Sequence, residues 1–194
     1  MTDMGEGSCL DKIKGIHHAA YRCIDAEQTR WFYEDVIGLK FAGIVLQEGI
    51  KGTYVTQEYM HLFFELADGS YLAFFDEPTG AGPQSGARKD SFDVHIAIEA
   101  KSEDDLVALQ ERMRRHGKSC HGPVDHGFVK SVYMYDPNGL QVEFTCRMAN
   151  HDELLDKEME TARARLSDWT VRTRAAKEAL FGTDSIAIPA AKAA

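Results

Sequence analysis

Residues 16–25 read IHHAAYRCID and residues 92–100 read FDVHIAIEA. Each is a short apolar run carrying a histidine, bounded by polar residues and followed by a helical pattern, so both read as strands. After the first, AEQTRWFYEDVIGL (26–39) spaces Trp31, Phe32, Val36 and Leu39 for a helix, with Gly38 near its C-cap. After the second, SEDDLVALQERMRRHG (102–117) carries its own start and stop. Ser102 stands as N-cap, acids fill the first turn, Arg and His the last, and Gly117 closes it. Strands come next in both halves. The first half has KFAGIVLQ, HLFFEL and YLAFFDEP, the last two joined by a tight ADGS turn; the second has FVKSVYMY and LQVEFTC around an Asp136-Pro-Asn-Gly turn. The order strand, helix, strands thus occurs twice, a duplication with a period of roughly 75 residues.

A duplicated chain can be compared with itself. Aligned on the histidines, H-A-A-Y-R from His18 matches H-I-A-I-E from His95. Aligned on the turn glycines Gly69 and Gly139, Glu143 in LQVEFT falls opposite Ala73 in YLAFFD. Glu143 is a carboxylate inside an otherwise apolar strand, which is costly without a partner. Of the neighbours His17 and His18, strand alternation lets only one face a site within the sheet. His18 holds the repeated slot, so His17 is expected on the opposite face, at the surface or an interface. Taken singly, His18 and His95 read as satisfied core histidines and Glu143 as a buried ion-pair partner. Their recurrence at matching places points instead to a divalent metal held by His18, His95 and Glu143. Two neutral imidazoles and one carboxylate leave three positions open for substrate and O₂, the 2-His-1-carboxylate arrangement of non-haem Fe(II) oxygenases; Mn²⁺, Zn²⁺ and Ni²⁺ suit the same ligands.

The stretches HHAAYRCIDAEQTRWFYEDVIGLKF, DGSYLAFFDEP, FDVHIAIEA and SVYMYDPNGLQVEFTC resemble the vicinal oxygen chelate superfamily over about residues 13–148. That superfamily includes glyoxalase I, extradiol dioxygenases, fosfomycin-resistance thiol transferases and methylmalonyl-CoA epimerase. The resemblance implies an α+β fold in which two βαβββ modules form an incomplete eight-stranded, barrel-like sheet around one metal. It places the first module at 13–78, a Gly- and Pro-rich linker at 79–91, the second module at 92–148 and a helical extension at 149–194. Glyoxalase- and epimerase-type members put Glu or Gln where this chain has Ala73, giving a fourth protein ligand. Three ligands are the pattern of one-domain extradiol dioxygenases, and the resemblance to these implies Fe(II)-dependent cleavage of a catechol or related vicinal diol with O₂. It also matches Tyr133 to a tyrosine that hydrogen-bonds a substrate hydroxyl. The family's acid–base histidine is replaced in the Gly69-Ser70-Tyr71 region, leaving His126 as the candidate proton carrier and His61 as a weaker one. A metal-dependent isomerase, lyase or thiol transferase of the same superfamily is the alternative. Strand phase puts Phe63, Phe75 and Phe128 along the pocket. The cluster His116, His121 and His126 fits no zinc spacing.

Composition is that of an ordinary soluble globular protein. The chain has 194 residues, 44% hydrophobic and 27% charged, with a net charge of −9 that disfavours nucleic acid or an anionic membrane as partner. No run approaches the apolar length of a membrane span. The start, MTDMGEGSCLDKIK, lacks the layout of a signal peptide, and the dispersed Cys9, Cys23, Cys120 and Cys146 form no CxxC, so a reduced, cytoplasmic protein is expected. Over 151–181, Leu155, Met159, Ala162, Leu166, Trp169, Thr173, Ala176 and Leu180 advance by fours and threes. Such a narrow seam on a charged helix suits a partner helix, and a homodimer or higher homo-oligomer is expected. IAIPAAKAA at the end is read as disordered.

Overall fold

A computed structural model describes residues 13–49 and 56–188. Most of the MTDMGEGSCLDKIK start, with Cys9, and the last six residues of the IAIPAAKAA end lie outside them. The order of elements is β1 (His18–Cys23), α1 (Ala26–Arg30, continued as a π-helical turn over Trp31–Ile37), β2 (Lys40–Glu48), β3 (Glu58–Glu65) and β4 (Tyr71–Asp76). The second half repeats it as β5 (His95–Glu99), α2 (Glu103–Arg115), β6 (His121–Asp125), β7 (Val129–Tyr135) and β8 (Gln141–Arg147), and α3 (His151–Phe181) follows. The strands form two four-stranded sheets, ordered β1-β4-β3-β2 and β5-β8-β7-β6, that do not close into a barrel. These are two βαβββ modules.

The duplication extends to the hydrogen-bond register. Parallel pairing of β1 with β4 sets His18 against Tyr71 and Ala20 against Ala73; pairing of β5 with β8 sets His95 against Gln141 and Ala97 against Glu143. On the other side of the central strand, Phe63 lies opposite Ala73 as Tyr133 lies opposite Glu143. Ala73 and Glu143 therefore hold one place in two copies of a ladder.

Each sheet buries one face against the helices. Phe32, Tyr33, Val36, Leu62, Phe64, Leu72 and Phe74 from the first module merge with Leu106, Met113, Val132, Val142 and Phe144 from the second into a single core. The helix at 26–37 buries Phe32 and Val36 of the predicted stripe and extends it to neighbouring residues. Trp31 is only partly buried while Tyr33 and Ile37 are covered, because the π-helical turn advances fewer degrees per residue and rotates later side chains. Gly38 ends it with φ +97°, and its missing side chain leaves room for the Arg112 guanidinium. That guanidinium crosses from α2 to donate to the carbonyls of Val36 (2.7 Å) and Asp35 (2.9 Å), satisfying orphan carbonyls at the helix end.

The Asp136-Pro137-Asn138-Gly139 turn locks the halves together. Asp136 is buried and accepts from the Tyr33 hydroxyl (2.9 Å), from Asn138 Nδ2 (2.9 Å) and from the backbone N–H of Asn138 and Leu140 (both 2.8 Å). Asn138 Oδ1 accepts from the Ile24 N–H at the end of β1 (3.0 Å), and its Nδ2 also reaches Thr29 Oγ1 (3.2 Å). The linker folds over this turn: Lys89 N–H donates to the Gly139 carbonyl at 2.8 Å. A Cβ on Gly139, whose φ is +76°, would stand 2.1 Å from the Ala87 carbonyl oxygen. Glycine is thus required there twice, by backbone angle and by space.

No helix among the described residues is long and apolar enough to cross a membrane. In α3, no side chain is buried.

Candidate metal site

The open face of the second sheet gathers most of the candidate residues. Glu143, 9% exposed, lies on β8 between Ala97 of β5 and Tyr133 of β7. His95 begins β5 two residues before Ala97, so its side chain emerges on the same face. Its Nδ1 lies 2.7 Å from the Ser91 carbonyl oxygen. A carbonyl only accepts, so Nδ1 carries a proton, and in the neutral ring Nε2 keeps its lone pair. That Nε2 stands 3.9 Å from Glu143 Oε2. A bare imidazole lone pair facing a carboxylate is a poor contact by itself and a good one around a cation. Two ligands at about 2.1 Å from one ion, set at a right angle, stand about 3 Å apart, so a small closure brings the pair to ligand spacing. The donor set fits a divalent metal, with Ser91 fixing the histidine tautomer as outer-shell carbonyls do at metal sites.

Tyr133 and His126 adjoin this pair. The Tyr133 hydroxyl donates to Glu143 Oε1 at 3.2 Å and, its one proton so used, accepts from His126 Nε2 at 2.7 Å. Burial holds the phenol above its ordinary pKa, which keeps it a donor. A cleft of about 920 Å³ opens beside these groups, and Arg88, Phe92, His121 and Gln141 form part of its wall. Arg88 lies over the Tyr135 ring, 4.6 Å from its centre, and Phe92 is 98% exposed at the cleft.

His18 occupies the equivalent place on the first sheet, in different company. Its ring lies 5.5 Å from that of His61 and 5.8 Å from that of Phe63. Ala73 sits fully buried on the neighbouring strand, with no carboxylate in the slot. The structure thus brings His95, Glu143, Tyr133 and His126 together but does not bring His18 to them. Among the described residues, no three His, Cys, Asp or Glu side chains gather closely enough to hold a metal ion.

Two residues differ from the expectations of strand alternation. His17 is exposed but not on the far face: its Nδ1 is 2.8 Å from His18 Nδ1 and its ring packs near Tyr71. The reason is that β1 begins at His18, so His17 lies in the bend before it and the two-residue period has not started. HLFFEL reads as a strand starting at His61, yet β3 begins three residues earlier at Glu58. His61 therefore sits mid-strand in phase with Phe63, its ring stacked 3.9 Å from Phe75, and its buried Nε2 has no hydrogen-bond partner. Burial first, and the His18 ring second, lower its pKa below the ordinary histidine value. The phase with Phe63 was the signal that could have raised it. Phe63 packs near Tyr71 and Phe75 stacks on His61 on the first sheet, whereas Phe128 packs 5.9 Å from His151 at the start of α3. The His116–His126 cluster disperses: His116 caps α2 beside Trp31, His121 lines the cleft and His126 bonds Tyr133.

The family model "Glyoxalase/Bleomycin resistance protein/Dioxygenase superfamily" matches residues 15–144. No curated protein matches the chain. Among solved structures, a glyoxalase/dioxygenase from Nostoc punctiforme is 23% identical, with a TM-score of 0.52 over 70% of this chain and 92% of that one. A glyoxylase/bleomycin resistance protein/dioxygenase domain from Frankia sp. EAN1pec is 18% identical, with a TM-score of 0.55 over 70% and 99%. A fosfomycin resistance protein from Listeria monocytogenes, complexed with Mn(II) and a dihydroxypropylphosphonic acid, is 18% identical, with a TM-score of 0.51 over 72% and 98%. At these identities the likeness is one of fold.

Proposed function

We propose a metal-dependent oxygenase chemistry for this site, from the premise that the chain belongs to the glyoxalase/bleomycin resistance protein/dioxygenase superfamily. The reading is an extradiol-type dioxygenase, using Fe(II) and O₂ to cleave a catechol or related vicinal diol, working in the cytoplasm as a homodimer or higher homo-oligomer. One observation carries it. The ladder place that holds Glu143 in one module holds Ala73 in the other, so the protein offers one carboxylate where a second would close off a coordination position.

In this reading His18, His95 and Glu143 hold the metal. His95 and Glu143 come from one chain, and His18 comes from a second copy whose first sheet faces the second sheet of its neighbour. Both open faces, one rich in His61, Phe63, Tyr71 and Phe75 and the other bearing the His95–Glu143 pair, are then covered at once. A bound Fe(II) supplies Lewis acidity toward two vicinal oxygens and the electron pathway for reaction with O₂. Tyr133, held by His126, orients the carboxylate and stands ready to hydrogen-bond a substrate hydroxyl. The aromatic side chains around His18 provide a flat, water-excluding wall that suits an aromatic ring. His61 Nε2, buried and unpartnered, is placed on that wall to hydrogen-bond a substrate oxygen.

The test is oxygen uptake by protein loaded with Fe(II) under anaerobic conditions, then given a panel of catechols. The expected result is uptake matched to a yellow ring-fission product. With metal demonstrably bound, no uptake across the panel overturns the oxygenase reading and leaves the isomerase, lyase and transferase chemistries of the fold.

A further inference from the structure

The linker delivers to the cleft one charged side chain that the proposed function leaves unused. Arg88 lies between Ala87, whose carbonyl fills the space beside Gly139, and Lys89, whose N–H donates to the Gly139 carbonyl at 2.8 Å. Its backbone is thus fixed on the Asp136–Gly139 turn. Its guanidinium lies 4.6 Å from the centre of the Tyr135 ring. Such stacking occupies the flat face of the group and leaves its in-plane N–H donors free. Among the described residues no carboxylate pairs with it, although Arg22, Arg30, Arg147 and Arg174 each have one. Of the residues lining the cleft, Arg88 is the only permanent cation and Glu143 the only carboxylate. Coordination by Glu143 takes up that negative charge and leaves the cleft positive, in a chain whose net charge is −9.

We infer that Arg88 is the specificity group of the cleft, and that the substrate carries a carboxylate at the end opposite its vicinal diol. The sheet sets the scale. Gln141 pairs with His95 on one side and with Tyr135 on the other, so the three form one row across β5, β8 and β7. His95 and Tyr135 are therefore two strand spacings apart, about 10 Å. A benzene ring with its two hydroxyls at the His95–Glu143 end and a carboxylate bonded to Arg88 at the other spans about this length. An arginine fork takes a carboxylate through two parallel N–H donors, whereas an uncharged ring leaves those donors to water. The cleft therefore sets charged diols ahead of neutral ones. The inference deepens the oxygenase reading and rests on it for the diol end; Arg88 belongs to the linker and takes no part in the His95–Glu143 pair.

Binding without turnover tests it. The full-length chain, loaded with Mn²⁺ and kept free of oxygen, is titrated calorimetrically with 3,4-dihydroxybenzoate and with catechol. The wild type is expected to hold the carboxylated diol about 10- to 100-fold more tightly, the range of a hydrogen bond to a charged group. Arg88→Gln is expected to erase that preference by lowering the affinity for 3,4-dihydroxybenzoate to that for catechol. Arg88→Lys is expected to keep part of it, because an ammonium retains the charge but not the fork. Equal binding of the two compounds by the wild type, or a preference that survives Arg88→Gln, overturns the assignment of Arg88 and leaves the metal site standing. The oxygenase reading fails separately: if catechol does not bind while 3,4-dihydroxybenzoate is still held through Arg88, the diol end is wrong and the charged end is upheld. Binding of neither compound overturns both.

Discussion

If His18 of one chain meets His95 and Glu143 of another, two broken chains can repair each other. His18→Ala removes a ligand from the first sheet and leaves the His95–Glu143 pair; Glu143→Gln spoils the pair and leaves His18. Alone, each variant has only damaged sites. Mixed in equal amounts and allowed to exchange, half of the pairs contain one chain of each kind. Such a pair has one site with all three ligands and one site lacking two, because a two-fold contact exchanges the same surfaces in both directions. One site in four is then complete, so tight metal binding is expected to return to about 25% of the wild-type level. The assay is Mn²⁺ binding by equilibrium dialysis, at a metal concentration that fills the wild type and leaves either single variant empty. Differently tagged chains, captured through one tag, report that exchange took place. If exchange is verified and tight binding stays at the level of the single variants, the shared site is refuted. If Glu143→Gln alone binds metal as the wild type does, the ligand assignment itself is wrong.

The remaining predictions concern single residues. His17→Ala removes the nitrogen that contacts His18 Nδ1 and is expected to weaken Mn²⁺ binding by about 10- to 100-fold, the usual cost of losing an outer-shell partner, with unchanged thermal stability. Asp136→Ala strands the Tyr33 hydroxyl and two backbone N–H groups in the core, and should cost about 3–5 kcal/mol at neutral pH, read from the urea midpoint. Burial raises the Asp136 carboxyl above its ordinary range in the fold, so its contribution is fully present below the unfolded value near 3.8 and is eroded as pH rises through the folded one. The stability gap between wild type and Asp136→Ala should therefore widen as pH falls from 7 toward 4; a gap that narrows would contradict the burial argument. Burial also pushes the thiols of Cys23 and Cys120 up, to about 12 and about 11, so both should resist DTNB at pH 8 until the chain is unfolded in guanidinium. Rapid reaction of either in the native protein would mean that its surroundings are more open than described.

The duplication was legible because it is written in two independent periodicities, and aligning on His18 and His95 or on Gly69 and Gly139 reproduces the register of the sheets. Ser102 was readable as an N-cap for a local reason: its side chain accepts from Asp105 N–H within the same turn. The strand β6 was not individually legible, since Gly122 and Pro123 interrupt its pattern and only tertiary pairing with β7 makes it a strand. The positions of His17 and His61 depended on where β1 and β3 begin, and a shift of one to three residues changes which way a side chain points. The separation of His18 from the His95–Glu143 pair could not be read at all. A repeat shows which residues are equivalent, but not whether equivalent faces meet within one chain or between two.

The linker also changes what it means to cut this chain. Residues 87–89 are not a tether; they lie on the Asp136–Gly139 turn, with Lys89 bonded to Gly139 and the Ala87 carbonyl in the space a side chain would fill. A protease nick among the exposed glycines and prolines just before them would leave the second fragment carrying its own clasp. The first fragment would remain bound through Tyr33, Thr29 and the carbonyls that Arg112 reaches. Severed at that loop, the molecule is expected to behave as a split protein whose halves find each other, so the two modules could be supplied on separate polypeptides.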